Sequence, residues 1–276
     1  MTPEQLLEGI VIAVDKPYKW TSFQVVNKIK SVIRNTYGLK KFKIGHAGTL
    51  DPLATGLLLV CVGKATKRIE ELQSGEKVYC GTIILGATTP CYDLERAIDR
   101  FYPYQHITLE ILSEKVQHFV GLINQVPPTF SAVKIDGLRA YTYARQACSN
   151  QEIPVPTSKQ VLVKEFDIVN FRPGNPNLQT IAEEQPLQAL QTTETSETPH
   201  LSHLYNNPLG TVPKYLPQFD FRVRCGKGTY IRSLARDLGL ALDSGAFLSA
   251  LCREQIGEYK LSEAFQLNDI QAFLES

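Results

Sequence analysis

The chain has 276 residues, 43% hydrophobic and 21% charged, with a formal net charge of +1. That is the composition of a soluble globular chain of one large or two modest domains. The longest apolar run is too short to cross a bilayer, and the opening MTPEQLLEGIVIAVDK lacks the basic stretch of a signal peptide, so neither a membrane span nor secretion is expected. Six cysteines, at 61, 80, 91, 148, 225 and 252, show no C-x-x-C pair and no matched histidine spacing. This argues against zinc and for reduced core thiols in a cytoplasmic protein.

Taken in chain order, GIVIAVDKP predicts a short strand ending at Pro17. Thr21 and Ser22 then offer N-caps for a helix over 23–35, with Val25, Val26, Ile29, Val32 and Ile33 at helical spacing. Gly45-His46-Ala47-Gly48-Thr49 is a loop whose two glycines permit tight turns and close approach of a ligand. Asp51 follows it, biased away from helical geometry by Pro52. Residues 57–62 are continuously apolar, which suits a strand buried on both faces. Further elements are a helix over 65–73, a strand over 78–85, a loop over 86–93 and a helix over 109–120. Residues 126–150 mix Pro, Gly, aromatic and basic residues, which suits a mobile binding loop followed by a helix. Strands at 160–170 and 219–225, a helix at 231–240 closed near Gly239 and a last helix at 267–274 complete the pattern. The polar, aperiodic stretch 173–215 cannot bury enough surface to offset its ordering entropy and predicts a mobile insertion, with His200 and His203 solvent-exposed. The whole reads as α+β with a mixed, largely antiparallel sheet flanked by helices. Strand order is left open.

Charge is uneven. Residues 1–70 carry eleven Lys/Arg against five Asp/Glu, and 222–236 carry five basic residues and no acid. By contrast, 179–215 has four glutamates and one lysine. Such blocks fit a nucleic-acid face, and equally a solvated surface.

Among chemical groups Asp51 stands first, since a carboxylate on a glycine-bearing loop can act as nucleophile without a metal. The alternative is an aspartate that merely caps a turn. Arg232, two residues after Tyr230, would share a face with it in an extended segment and could hold a carboxylate in a bidentate pair, or be a surface or phosphate-contacting arginine. Tyr79 could stack on an extruded base and take part in proton transfer, or simply fill the core. His46 could insert among bases or stabilise its own loop. Gly63-Lys64-Ala65-Thr66 is not a triphosphate loop: Ala65 holds the Ser/Thr position, and the preceding glycine, Gly56, is too far back.

Asp15-Lys16-Pro17 with Thr21-Ser22, the block GHAGTLDPLATGLLLVCVGKATK, Lys77-Val78-Tyr79 leading to Leu85-Gly86-Ala87-Thr88-Thr89 and Asp93, Val126-Pro127-Pro128 with Ser131-Ala132-Lys134 and Gly137, and GKGTYIRSLARDLG occur in that order. Together they resemble the TruB family of bacterial tRNA pseudouridine-55 synthases over most of residues 9–260. The resemblance implies a single pseudouridine synthase catalytic domain over 1–276 that isomerises one T-loop uridine of tRNA without a cofactor, as a monomer needing no protein partner. It implies that Asp51 attacks the ribose or the uracil ring and that Arg232 pairs with Asp51. Tyr79 would stack on the flipped uracil and assist proton removal. His46 would fill the space that the nucleotide vacates, and Lys16 and Pro17 would form the floor. Lys64 would contact phosphate, and Gly48, Thr49 and Tyr230 would line the substrate. The 126–150 loop would close over the T arm. A departure is that about a dozen residues follow Lys260-Leu261-Ser262, too few for the C-terminal PUA domain of many members. Two other readings are a guide-RNA-dependent synthase subunit and a non-catalytic tRNA-folding chaperone.

Overall fold

The computed structural model describes residues 1–131, 134–135, 138–139, 156–175 and 213–275. Its contacts divide into two compact units, Met1–Cys80 with Arg224–Lys227 and Leu251–Ser276, and Gly81–Val223 with Gly228–Ala250. Among the described residues no helix is long and apolar enough to cross a membrane.

The first unit is built on β3 (Thr55–Val62), the apolar run of the sequence, buried at every position. Alternate residues serve two cores. Leu58, Val60 and Val62 pack with Val25, Val26, Ile29 and Ile33 of α2 (Ser22–Tyr37) and with Ile270 and Leu274 of the terminal α6 (Ile270–Glu275). Leu57, Leu59 and Cys61 pack on the other face with Ala47, Ala65, Leu72 and Ile256. A strand with water on neither face carries no polar alternation, which is why the run is uninterrupted.

Along one edge β3 is antiparallel to β1 (Ile10–Lys16), in register from Ile10↔Val62 to Lys16↔Gly56. Its other edge is divided. At its start it runs parallel to β12 (Ala246–Ile256), with Arg253↔Gly56. At its end it is antiparallel to β2 (Ile44–His46), with His46↔Val60. Beyond β1 lies the short β14 (Phe265–Gln266), parallel to it, and β13 (Tyr259–Lys260) pairs with β12. The expected mixture of parallel and antiparallel pairs is present.

Two features follow from local chemistry. Thr21 caps α2 reciprocally with Gln24, each side chain accepting from the other's backbone N–H, which leaves Ser22 free for another partner. After β3 the chain makes a 3-10 stretch (Gly63–Arg68) into α3 (Ile69–Ser74). The short helix α1 (Pro3–Glu8), which the pattern did not anticipate, lies directly on it. A Cβ on Gly63 would meet the Leu6 carbonyl oxygen at 2.3 Å, and one on Gly9 would meet the Ala65 nitrogen at 2.4 Å.

The second unit contains the rest of β4 (Lys77–Leu85), then β5 (Ala87–Thr88), β6 (Arg100–Phe101), α4 (Leu109–Gln117), β7 (Gly121–Gln125) and the small hairpin of β8 (Lys134–Ile135) and β9 (Leu138–Arg139). It continues with β10 (Lys159–Arg172), most of β11 (Gln218–Cys225), α5 (Ile231–Ala241) and the first half of β12. Strand order here is β4–β11–β10–β7. Phe166, Phe219 and Phe221 form its aromatic core, with edge-to-face centroids 6.0 and 6.4 Å apart. Asp220 accepts both forks of Arg172 at 2.7 Å and the Thr82 hydroxyl at 2.7 Å.

Some expectations shift. The helix starting at 109 stops at Gln117, and Gly121, at φ +104°, turns the chain into β7 instead of extending the helix to 120. The helix expected to close near Gly239 ends at Ala241, and Gly239 itself is buried inside it, where a Cβ would meet the Ala246 nitrogen at 2.5 Å. Most of the loop expected over 126–150, the helix after it, and nearly all of the stretch 173–215 lie outside the described residues.

Gly56 gives a direct test of packing. At φ +96°, its missing side chain would place a Cβ 2.4 Å from the Arg253 carbonyl oxygen. Gly56→Ala should cost more than ~3 kcal/mol, combining backbone strain with a clash. Gly38→Ala, at the left-handed C-cap of α2 with nothing within 4 Å of the new carbon, should cost only about 1–2 kcal/mol. Urea denaturation midpoints of the two variants measure the difference.

Candidate active site

Asp51 is half-buried, in the loop between β2 and β3. The loop leaves the sheet where β2 and β12 part company along the edge of β3, and buried donors grip its backbone on both sides of the aspartate. Ala47 N–H donates to the Leu59 carbonyl at 2.9 Å. Ser22, 2% exposed, accepts from Leu50 N–H at 2.9 Å and donates to the Leu50 carbonyl at 3.1 Å. Lys16, fully buried, donates to the carbonyls of Pro17 (2.9 Å), Trp20 (2.6 Å) and Pro52 (3.2 Å). Arg253, 1% exposed, donates from Nε to the Leu57 carbonyl at 2.8 Å and from its two terminal nitrogens to the carbonyls of Thr49 (3.4 Å) and Gly48 (3.0 Å). The residues before and after Asp51 are thus fixed by hydrogen bonds, and Asp51 itself stays half-buried.

The electrostatics follow from burial. Desolvation lowers the Lys16 ammonium to about 8, against the charge of Asp51, which pulls it up, and with a smaller push from Arg253. Lys77, at the start of β4, is also lowered to about 8, by burial and then by Arg253; its ammonium donates to the carbonyls of Gln73 and Gly75. Burial, then Arg253, lowers His46, opposed by the Gly48 backbone, so the ring is neutral at physiological pH. Its Nδ1 is buried without a hydrogen-bond partner among the described residues. Tyr79, 9% exposed on β4, has its hydroxyl pushed up chiefly by burial. The charge and a side-chain hydrogen bond of Arg253 pull it back, while Cys225 and Asp51 add to the rise.

Asp51, Lys16, His46, Gly48, Thr49 and Tyr79 are therefore brought together in one unit, with Pro17 beside them through its carbonyl. Lys64 is not. It lies past the far end of β3, roughly 20 Å of strand from Gly56, and its ammonium is held by Glu8 at 2.8 Å. Arg232 and Tyr230 belong to the second unit. The extended geometry expected to align them is replaced by a helix start: Tyr230 is the N-cap of α5 and Arg232 lies in its first turn. Gln125 clamps the Tyr230 backbone, accepting from its N–H at 2.7 Å and donating to its carbonyl at 3.2 Å. Arg232, 5% exposed, has Nε 3.6 Å from an Asp93 carboxylate oxygen and donates to the carbonyls of Cys91 (3.0 Å) and Phe130 (2.8 Å). Ser233 and Arg236 both donate to the Val126 carbonyl, at 2.8 and 2.9 Å. The Val126-Pro127-Pro128 segment is anchored to α5 in this way.

Arg253 is the residue that sequence reasoning missed. Its signal was a lone arginine ending the apolar run FLSALC, in a stretch not assigned as a strand.

The fold is similar to that in a solved structure of a Cbf5–Nop10–Gar1 complex. The likeness has a TM-score of 0.60 at 24% identity and covers 98% of this chain and 56% of that one. The fold is that of a pseudouridine synthase. The family model of the TruB pseudouridylate synthases (N-terminal domain) matches residues 34–185. A Flavobacterium johnsoniae protein named tRNA pseudouridine synthase B is 46% identical over 277 residues, covering 100% of this chain and 99% of that protein. One of the same name from Phocaeicola vulgatus is 42% identical, covering 97% and 94%. The chain belongs to the TruB family of pseudouridine synthases.

Lys16 makes a signed pH prediction. Its folded value lies near 8, below the ordinary 10.5, so between those values the folded protein holds fewer protons than the unfolded chain and stability gains with rising pH. Lys16→Met should remove that gain. Denaturation midpoints of wild type and variant from pH 7.5 to 10 would show the wild-type curve rising relative to the variant.

Proposed function

We propose that this chain isomerises uridine 55 in the T loop of tRNA to pseudouridine, as a stand-alone enzyme. The observation that carries the reading is the full-length likeness to proteins named tRNA pseudouridine synthase B. The clamped setting of Asp51 supports it. Isomerisation breaks the bond between ribose and ring nitrogen and rejoins the ring through carbon. The target carbon is inaccessible in a stacked loop, so the base must be extruded at a cost of a few kcal/mol, offset by stacking and phosphate contacts.

In this reading Asp51 attacks the ribose or the ring. Its carbonyl-anchored loop keeps the carboxylate aimed. Arg232 pairs with Asp51, and Asp93 in turn orients Arg232. Tyr79 stacks on the flipped uracil and takes the proton from the rejoined ring. The neutral His46 ring fills the space left in the T loop. Lys16 and Pro17 form the floor, with Gly48, Thr49 and Tyr230 lining the substrate. Lys64, at the far end of β3 beside Glu8, contacts a tRNA phosphate away from the pocket.

Asp51→Asn should lower pseudouridine formation on an unmodified tRNA transcript by at least about 10³-fold and change the tRNA dissociation constant by less than about threefold. Retained activity would remove Asp51 from the mechanism. Wild-type turnover only with an added guide RNA would instead favour the guided enzyme, and binding without any turnover would favour a chaperone. The tRNA affinity should also fall with salt, log K losing roughly 0.7–0.9 per phosphate neutralised for each tenfold rise. A flat response, read by filter binding from 50 to 300 mM salt, would rule out phosphate-led docking.

A further inference from the structure

Arg253 is the largest of the fully buried side chains among the described residues. No carboxylate lies within ion-pair distance of it among those residues. Its donors go to the carbonyls of Leu57, Thr49 and Gly48, and its charge acts on the Tyr79 hydroxyl of the neighbouring strand β4. A guanidinium taken out of water without a counter-charge costs a large part of a domain's net stability, and an apolar residue would fill the space at less cost. Such a group fits a place where negative charge forms during the reaction.

The position is specific. Arg253 is in register with Gly56, at the end of the short parallel pairing between β12 and β3. The next residues of that edge have no β12 partner, and the guanidinium itself takes up the Leu57 carbonyl before Ala47 takes up Leu59. It therefore closes the gap through which the Asp51 loop leaves the sheet. Gly48, at φ +105°, keeps its backbone open to the guanidinium, 3.5 Å from where a Cβ would stand. The ionisable groups facing this point are Lys16 from β1, His46 from β2, Lys77 and Tyr79 from β4, Cys225 from β11 and Asp51 from the loop. Each of the three neighbouring bases is discouraged from holding a proton by burial and also by Arg253. Arginine keeps its charge under the same conditions.

We propose that Arg253 is a positioning residue for the isomerisation: its planar fork fixes the Gly48 and Thr49 carbonyls, and with them the Asp51 loop, while it places a fixed positive charge beside Tyr79 on the neighbouring strand. This rests on Tyr79 receiving the ring proton. In that step the C–H bond at the rejoined carbon breaks, its electron pair restores the ring double bond, and the proton passes to the phenolate oxygen of Tyr79. A neighbouring fixed cation favours that phenolate.

Arg253→Gln and Arg253→Lys test it, with pseudouridine formation on unmodified tRNA measured from pH 6 to 9.5. Arg253→Gln should lower kcat about 100-fold with KM within about threefold, and move the rising limb of the pH profile upward by about one unit or more. Arg253→Lys keeps a charge without the fork and should fall between, near a tenfold loss. A rise in KM alone, or a uniform loss with an unmoved limb, would reduce Arg253 to a structural role. Should the glutamine variant fail to fold, the lysine variant carries the test through the same limb. A substrate-free readout separates this proposal from the assigned reaction: 3-fluorotyrosine at position 79, titrated by its 19F resonance, should ionise at higher pH in Arg253→Lys. An unchanged midpoint overturns the proposal. A shifted midpoint in an enzyme inactive on tRNA upholds the contact and rejects the assigned reaction.

Discussion

Everything about the candidate site depends on one constraint: backbone carbonyls in the Asp51 loop are turned inward and must find donors out of reach of bulk water. An orphaned buried acceptor costs about 1–3 kcal/mol. Three side chains from three different elements meet that requirement: Lys16 at the end of β1, Ser22 at the start of α2 and Arg253 in β12. Two are cations, whose hydrogen bonds to carbonyls are stronger than neutral ones. Both are positioned by their pairing with Gly56, one from each edge of β3. The loop is held by the geometry of the sheet itself.

The sheet can do this because β3 is buried on both faces and partnered on both edges. Its register with β1 fixes where Lys16 ends up, and its divided second edge creates the gap that Arg253 closes. A left-handed glycine at position 56 is what allows the β12 backbone to come so near. In the second unit a comparable economy operates at the start of α5. There Ser233, Arg236 and Arg232 reach back to the carbonyls of Val126 and Phe130, and Gln125 ties down the N-cap.

Much of this was legible from residues alone. Period and capping placed α2, β3, β4 and α5 within a few residues, because each is long or strongly apolar. The loop carrying Asp51 was marked by its two glycines and its proline. Long-range pairing was not legible. Nothing local says that Ser22, which reads as a second N-cap candidate beside Thr21, turns instead to Leu50, twenty-eight positions away. Arg253 escaped notice because its partners are main-chain atoms nearly two hundred residues earlier, and a buried charge interrupts the alternation by which a strand is recognised. The place of Lys64 was not legible either: only the strand register shows that β3 carries it to the end of the strand away from the aspartate.

The far end of β3 has a wider meaning. Gly63, Lys64 and Ala65 are all engaged by the N-terminal helix: the glycine and alanine by close packing, the lysine by Glu8. One strand thus carries two unrelated loads, the Asp51 loop at its start and the seat of α1 at its end. Damage at the seat would loosen the first residues of the chain while the hydrogen bonds around Asp51, made at the opposite end of the strand by other side chains, stayed in place.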